Sequence, residues 1–207
     1  MLIARPKILL GTTVAAVGVF AVVGIVANWT SWDQRIIDVV ERHYDESRND
    51  VLNVLLDASM ALGAVFALAV AIVLVVRRRR LHALFWILAV AGVLVLDLVL
   101  KEIFQRPSIG VKQDEYSFPS GNAMASVAVV VGLFLITRSN ERRRWILALG
   151  VPAIVVYGAL LVFLLWHYPS DVVAGWFAAL AWVAGVAFVL RRSGGPGDRP
   201  PASTVHG

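Results

Sequence analysis

The sequence predicts an all-α membrane protein: a bundle of six transmembrane helices with an interfacial amphipathic helix on its outer side. Three observations predict it. Of 207 residues, 59% are hydrophobic types and 16% are charged, a composition too apolar for an ordinary water-soluble domain. The apolar residues fall in runs near the roughly 20 residues needed to cross hydrocarbon, where a helix satisfies every backbone amide locally. The arginines sit in short blocks between those runs, chiefly Arg77 to Arg80 and Arg142 to Arg144, the pattern of cytoplasmic loops.

The first run, Ile8 to Asn28, follows Arg5 and Lys7. It is long for a secretory signal and ends in IVANW without a clear small-x-small cleavage site, so an uncleaved anchor is expected. Further runs cover Val51 to Val76, Leu81 to Leu100, Ala123 to Ile136, Trp145 to Trp166 and Val172 to Leu190, the fourth being short unless extended back through Ser120. Counted from an inside N-terminus, the loops at 77–80 and 138–144 and the tail starting at Arg191 all fall on the side of Arg5 and Lys7. Both termini are therefore expected in the cytoplasm of a multi-pass cell-membrane protein.

Between the first two runs, Trp32, Ile36, Ile37, Val40 and Tyr44 repeat at helical spacing, and Ser31 with Gln34 has the form of a capping box. This segment reads as the amphipathic helix. Residues 1–192 are expected to form one transmembrane domain, and 193–207, rich in Gly and Pro, a disordered cytoplasmic tail. Cysteine is absent, which excludes disulfides and thiolate sites. The net charge of +5 resides in the loop blocks and so predicts no nucleic-acid partner. The sequence carries no mark of an oligomeric state.

On this topology the polar residues gather at one level. Asp57 lies near the outer end of the second run, and Asp97 and Lys101 at the outer end of the third. The following loop holds Arg106, Lys112, Asp114 and Glu115. The fourth run opens with Ser120, Gly121 and Asn122, and the sixth around His167 and Asp171. Ionisable groups within spans are costly and tend to mark a site, and their shared depth points to an extracytoplasmic site rather than a channel. A transporter would want polar residues at the midplane and helices broken there by Gly or Pro; Pro152 and several glycines fall inside the runs, but no charged residue accompanies them.

Asp97 and Lys101, four apart, share a helix face, as a structural ion pair or as part of a site. His167 and Asp171 have the same spacing. The carboxylate could accept the imidazole Nδ1 hydrogen and leave Nε2 as a nucleophile or base, or the histidine could simply anchor a helix end. In FPSGN, Ser120 and Gly121 open a helix whose free amides can hold an anion such as phosphate; alternatively Ser120 is an ordinary N-cap.

A lysine at a helix end, a nearby Arg106-Pro107, the Pro-Ser-Gly at 119–121 and the HYPSDVVAGW stretch from His167, in that order, resemble the type 2 phosphatidic acid phosphatase superfamily. That family includes lipid phosphate phosphatases, undecaprenyl pyrophosphate phosphatases and soluble vanadium haloperoxidases. The resemblance covers about Val51 to Leu190. It implies that Lys101, Ser120 and Gly121 contact substrate phosphate, with Arg106 as a substitute for the family's arginine. It further implies that His167 attacks phosphorus to form a phosphohistidine and that Asp171 orients it.

Three departures stand out. Arg106-Pro107 comes two residues early, leaving Ser108-Ile109 at the family's Arg-Pro register. Asn122 replaces the histidine that protonates the leaving group, and an amide is no acid near neutral pH. Leu160-Leu161 stands where the family has Ser-Arg, which removes one phosphate-clamping guanidinium. The resemblance implies a membrane phosphatase of lipid phosphates or polyprenyl pyrophosphates. It needs no cofactor, and the sequence holds no carboxylate–histidine cage for a metal. The departures leave open a catalytically impaired pseudo-enzyme that binds a lipid phosphate or a partner protein.

Overall fold

The computed structural model describes residues 5–29, 31–44, 46–109 and 116–193. The expectations placed on Lys112, Asp114, Glu115 and the tail after Ser193 lie outside them. The described helices are α1 (Pro6–Trp29), α2 (Trp32–Glu41), α3 (Glu46–Val76), α4 (Arg80–Phe104), α5 (Gly121–Ile136), α6 (Asn140–Phe163) and α7 (Pro169–Ser193). By length and composition α1, α3, α4, α6 and α7 can each cross a membrane. The equally apolar α5 has 16 residues, about 24 Å of helix against a hydrocarbon core of about 30 Å. The six expected spans are thus five by length, plus this shorter helix.

Helix α7 is the hub. It packs most extensively on α1 and also against α2, α4, α5 and α6. Its inner face is built from Ala178, Ala179, Val183, Ala184 and Ala187, set against Phe85, Ala89 and Val93 of α4 and Met124, Val127 and Ala128 of α5. Small residues matter here because lipid tails are as apolar as leucine, so helices associate through close packing rather than by escaping water. At Gly175 the approach is close: a Cβ there would lie 2.6 Å from the Ser120 carbonyl oxygen. Helix α3 turns Leu55, Leu62, Val65, Leu68 and Val76 outward, as a lipid-facing helix does.

The predicted helix between the first two runs is present as α2. Its inward stripe is Asp33, Ile37 and Val40, continued by Tyr44 just past its end, with Ile37 packed on Ile109 and Leu165; Ile36 instead is exposed. The capping box is not formed. Ser31 makes no side-chain cap bond, and its backbone (φ −93°, ψ 14°) is not the extended form that aims a cap hydroxyl at the helix. The Gln34 amide donates to Asp38 Oδ1 at 2.9 Å instead.

Helix α6 stops at Phe163, short of the predicted Trp166. Leu165 adopts a left-handed conformation, φ 58°, while the Trp166 amide donates to the Leu161 carbonyl at 2.9 Å and the Leu165 amide to that of Val162 at 3.1 Å. That is a Schellman ending, usually made by glycine. A leucine in this role gave no stop signal in the sequence. Helix α4 ends in a related way at Gln105, φ 45°.

These endings bring the C-terminus of α4, the N-termini of α5 and α7 and the buried face of α2 together. The arginine blocks lie at the opposite ends of the same helices. Phe118 rests on Phe104 and Phe20, centroids 4.7 and 5.8 Å away, and so ties the segment before α5 to α4 and α1.

Candidate active site

Asp97 and Lys101 from α4, Ser108, Ser117, Gly121 and Asn122 at the start of α5, and His167 before α7 line a cavity of about 240 Å³. Lys101 Nζ lies 3.4 Å from Asp97 Oδ2. Asp97 also presses on α5: a Cβ on Gly121 would come within 2.5 Å of the same oxygen. Only glycine permits that approach, so Gly121 is a packing requirement as well as a helix start.

Ser120 and Arg106 stand behind this cavity rather than in its lining. Ser120 is fully buried. Its hydroxyl accepts from the Ala123 amide at 3.3 Å and its own amide donates to the Asp171 carbonyl at 2.9 Å. The N-cap alternative therefore describes its contacts. At the register where the family has Arg-Pro, it is Ser108 that reaches the cavity.

Arg106 is the centre of a buried network. Its Nη1 donates to Asp171 Oδ1 and to Ser170 Oγ, each at 2.7 Å, and its Nη2 donates to Asp33 Oδ2 at 2.9 Å. Its guanidinium lies 4.0 Å over the Tyr168 ring. Asp33, 1% exposed, also accepts the Ser170 amide at 3.1 Å and the Ser170 hydroxyl. It thereby caps the N-terminus of α7 from another helix. Burial raises the Tyr168 hydroxyl above the usual tyrosine pKa; Arg106 opposes this, and Asp171, Asp33 and Glu41 reinforce it.

His167 and Asp171 come together, but less closely than a hydrogen bond. His167 Nδ1 lies 3.8 Å from Asp171 Oδ2. That oxygen accepts the Tyr168 amide at 3.1 Å. His167 is buried, and its Nδ1 has no hydrogen-bond partner among the described residues. Asp171 is thus fixed by Arg106 and Tyr168, and the imidazole sits beside it on the cavity wall.

Leu161, at the family's arginine position, is fully buried with Leu56, Ala123, Leu164, Trp166 and Val172. Packing replaces the missing guanidinium. Asp57 is exposed on α3 and lies outside the lining. Sequence reasoning missed Asp33 and Ser170. The available signal was the position of Asp33 four residues before Ile37, on the inward stripe of α2, where an unpaired acid would be costly. Among the described residues no group of His, Asp or Glu is placed to hold a metal ion.

The structure is similar to the crystal structure of a transmembrane PAP2 type phosphatidylglycerolphosphate phosphatase from Bacillus subtilis. The two share 19% identity with a TM-score of 0.67, over 87% of this chain and 96% of that one. At such identity the likeness is one of fold. A comparison with the curated proteins finds no match. The family model of the PAP2 superfamily matches residues 96–194, the stretch that carries Lys101, Arg106, Ser120, Gly121, Asn122, His167 and Asp171 in the family's order. Over residues 96–194 the chain is thus similar to the PAP2 superfamily.

Proposed function

We propose that this protein is a membrane phosphatase acting on lipid phosphates or polyprenyl pyrophosphates at the extracytoplasmic face, with α5 as its sixth span and α2 at the outer interface. One observation carries the reading. The polar cavity holding Lys101 and His167 adjoins an apolar groove of about 780 Å³ between α3, α4, α5 and α6, the two sharing Met60, Leu94, Asn122 and Ala125 in their walls. A phosphate on a hydrocarbon chain is the ligand chemistry that fits both parts, the chain lying along Ala64, Ala67, Val90 and Val129.

In this mechanism His167 Nε2 attacks phosphorus, the bond from phosphorus to the leaving oxygen breaks (the lipid oxygen of a monophosphate, the bridging oxygen of a pyrophosphate), and water then cleaves the phosphohistidine to release phosphate. Asp171, held by Arg106 and the Tyr168 amide, balances the charge that grows on the imidazole. Lys101 meets the equatorial oxygens. Asn122, at the junction of cavity and groove, donates a hydrogen bond but no proton. A leaving group that needs little protonation is therefore favoured, and a pyrophosphate supplies one by expelling a lipid monophosphate.

The second reading, a binding protein of the same fold without turnover, is favoured by the burial of Leu161 and by the engagement of Arg106 with two carboxylates. Phosphate release by the purified protein from a polyprenyl pyrophosphate, phosphatidic acid and phosphatidylglycerol phosphate, with His167→Ala beside it, separates the two. Activity on the pyrophosphate that His167→Ala lowers by about 10³ or more is expected. Equal release by the wild type and the variant would sink the phosphohistidine mechanism.

A further inference from the structure

The charge inventory of this site is unusual for a phosphate subsite. Among the described residues of the cluster, two cations, Lys101 and Arg106, stand among three carboxylates, Asp33, Asp97 and Asp171. Asp33 and Asp171 are taken up by Arg106 behind the wall. Asp97 is different: it lines the cavity beside Lys101, Asn122 and His167. It lies 3.4 Å from Lys101 and against the first residue of α5. Its carboxylate therefore occupies the place where a cation and a helix N-terminus would otherwise hold a phosphate.

We infer that Asp97 is the resident anion of the phosphate subsite, a specificity-determining residue that a substrate phosphate must displace from Lys101. The inference rests on the proposed phosphate chemistry of this cavity. Two anions cannot share one ammonium at contact distance without mutual repulsion, so a phosphate binds weakly here by itself. A lipid-borne phosphate brings a second source of binding free energy, the burial of its chain in the adjoining groove, and remote binding of that kind can drive the displacement at the reacting end. Asp97 thereby makes the site respond to phosphate attached to a lipid and reject free phosphate, which is also the product to be released. His167, the proposed nucleophile, lines the same cavity.

The test is calorimetric titration of the purified full chain in detergent with inorganic phosphate, using Asp97→Asn, which keeps the shape against Gly121, and Asp97→Ala as a second variant. Both should bind phosphate about tenfold tighter than wild type or better, and adding Lys101→Ala should abolish the gain. A short-chain, water-soluble phosphate should also gain in turnover relative to a long-chain one. Unchanged or weaker phosphate binding by variants that retain the wild-type melting temperature overturns the inference. The hydrolysis assay keeps the two ideas apart. A gain in phosphate affinity without turnover of any lipid leaves Asp97 as inferred and removes the phosphatase. Wild-type turnover with no gain in affinity removes Asp97 and leaves the phosphatase.

Discussion

Arg106 carries more of this structure than any other side chain near the cavity, because two elements meet on it: α2 through Asp33, and the start of α7 through Ser170 and Asp171. A guanidinium between two buried carboxylates is strongly context-dependent, since removing one partner strands charges away from water. Arg106→Ala is expected to lower stability by about 3–5 kcal/mol, read as a large fall in melting temperature in detergent. The double variant with Asp33→Asn should lose clearly less than the two single losses combined, because the pair acts as a unit. Additive losses would mean that Asp33 and Arg106 are not coupled. The residues leading into this network are under strain as well. Gln105 and Leu165 both hold left-handed backbone without being glycine, at a cost of about 1–2 kcal/mol each, and they launch the segments carrying Arg106 and His167.

Among the elements, the contact between α5 and α7 sets the site. The Ser120 amide reaches the Asp171 carbonyl across it, so the start of α5 and Asp171 of α7 are tied together. Gly175 makes that contact possible, with the Ser120 carbonyl oxygen 2.6 Å from where a Cβ would be. Gly175→Ala should therefore push the two helices apart and cost about 1–3 kcal/mol. It should also reduce phosphate release more than its effect on melting would suggest, and a variant that melts normally with full activity would contradict this account. Helix α2 contributes through burial: Ile37 anchors it, and Asp33 caps α7 from it.

At the scale of the whole molecule, the polar residues of the cavity and of the Arg106 network lie at one end of the bundle, with the arginine blocks at the other. The chain has no cysteine, so single introduced cysteines report topology against a clean background. Tyr116→Cys beside the cavity, where the side chain is 38% exposed, should react with a membrane-impermeant maleimide from outside intact cells. Ser139→Cys, at the arginine-rich start of α6, should react only after the membrane is opened. Labelling of both from the same side would remove α5 as a sixth span.

The hydrophobic runs, the arginine blocks between them and the order of Lys101, Ser120, Gly121, Asn122, His167 and Asp171 were legible in the sequence by itself. Helix formation in lipid and the positive-inside rule act on local composition, and a family's motif is a linear pattern. Tertiary structure alone decided which of those residues reach the cavity. Arg106 and Ser120 share the motif with Lys101, yet one is drawn back by Asp33 and Asp171 and the other closes a helix cap. Asp33 lies 73 residues from Arg106 in the chain, and no local pattern announces such a pairing. The end of α6 was hidden for a related reason: a leucine holds the left-handed turn that glycine would have signalled, and it is held there by the apolar packing of Leu165 with Ile37 and Ile109. Local rules thus determined the helices, while the fate of each charge followed from desolvation and pairing between segments distant in sequence.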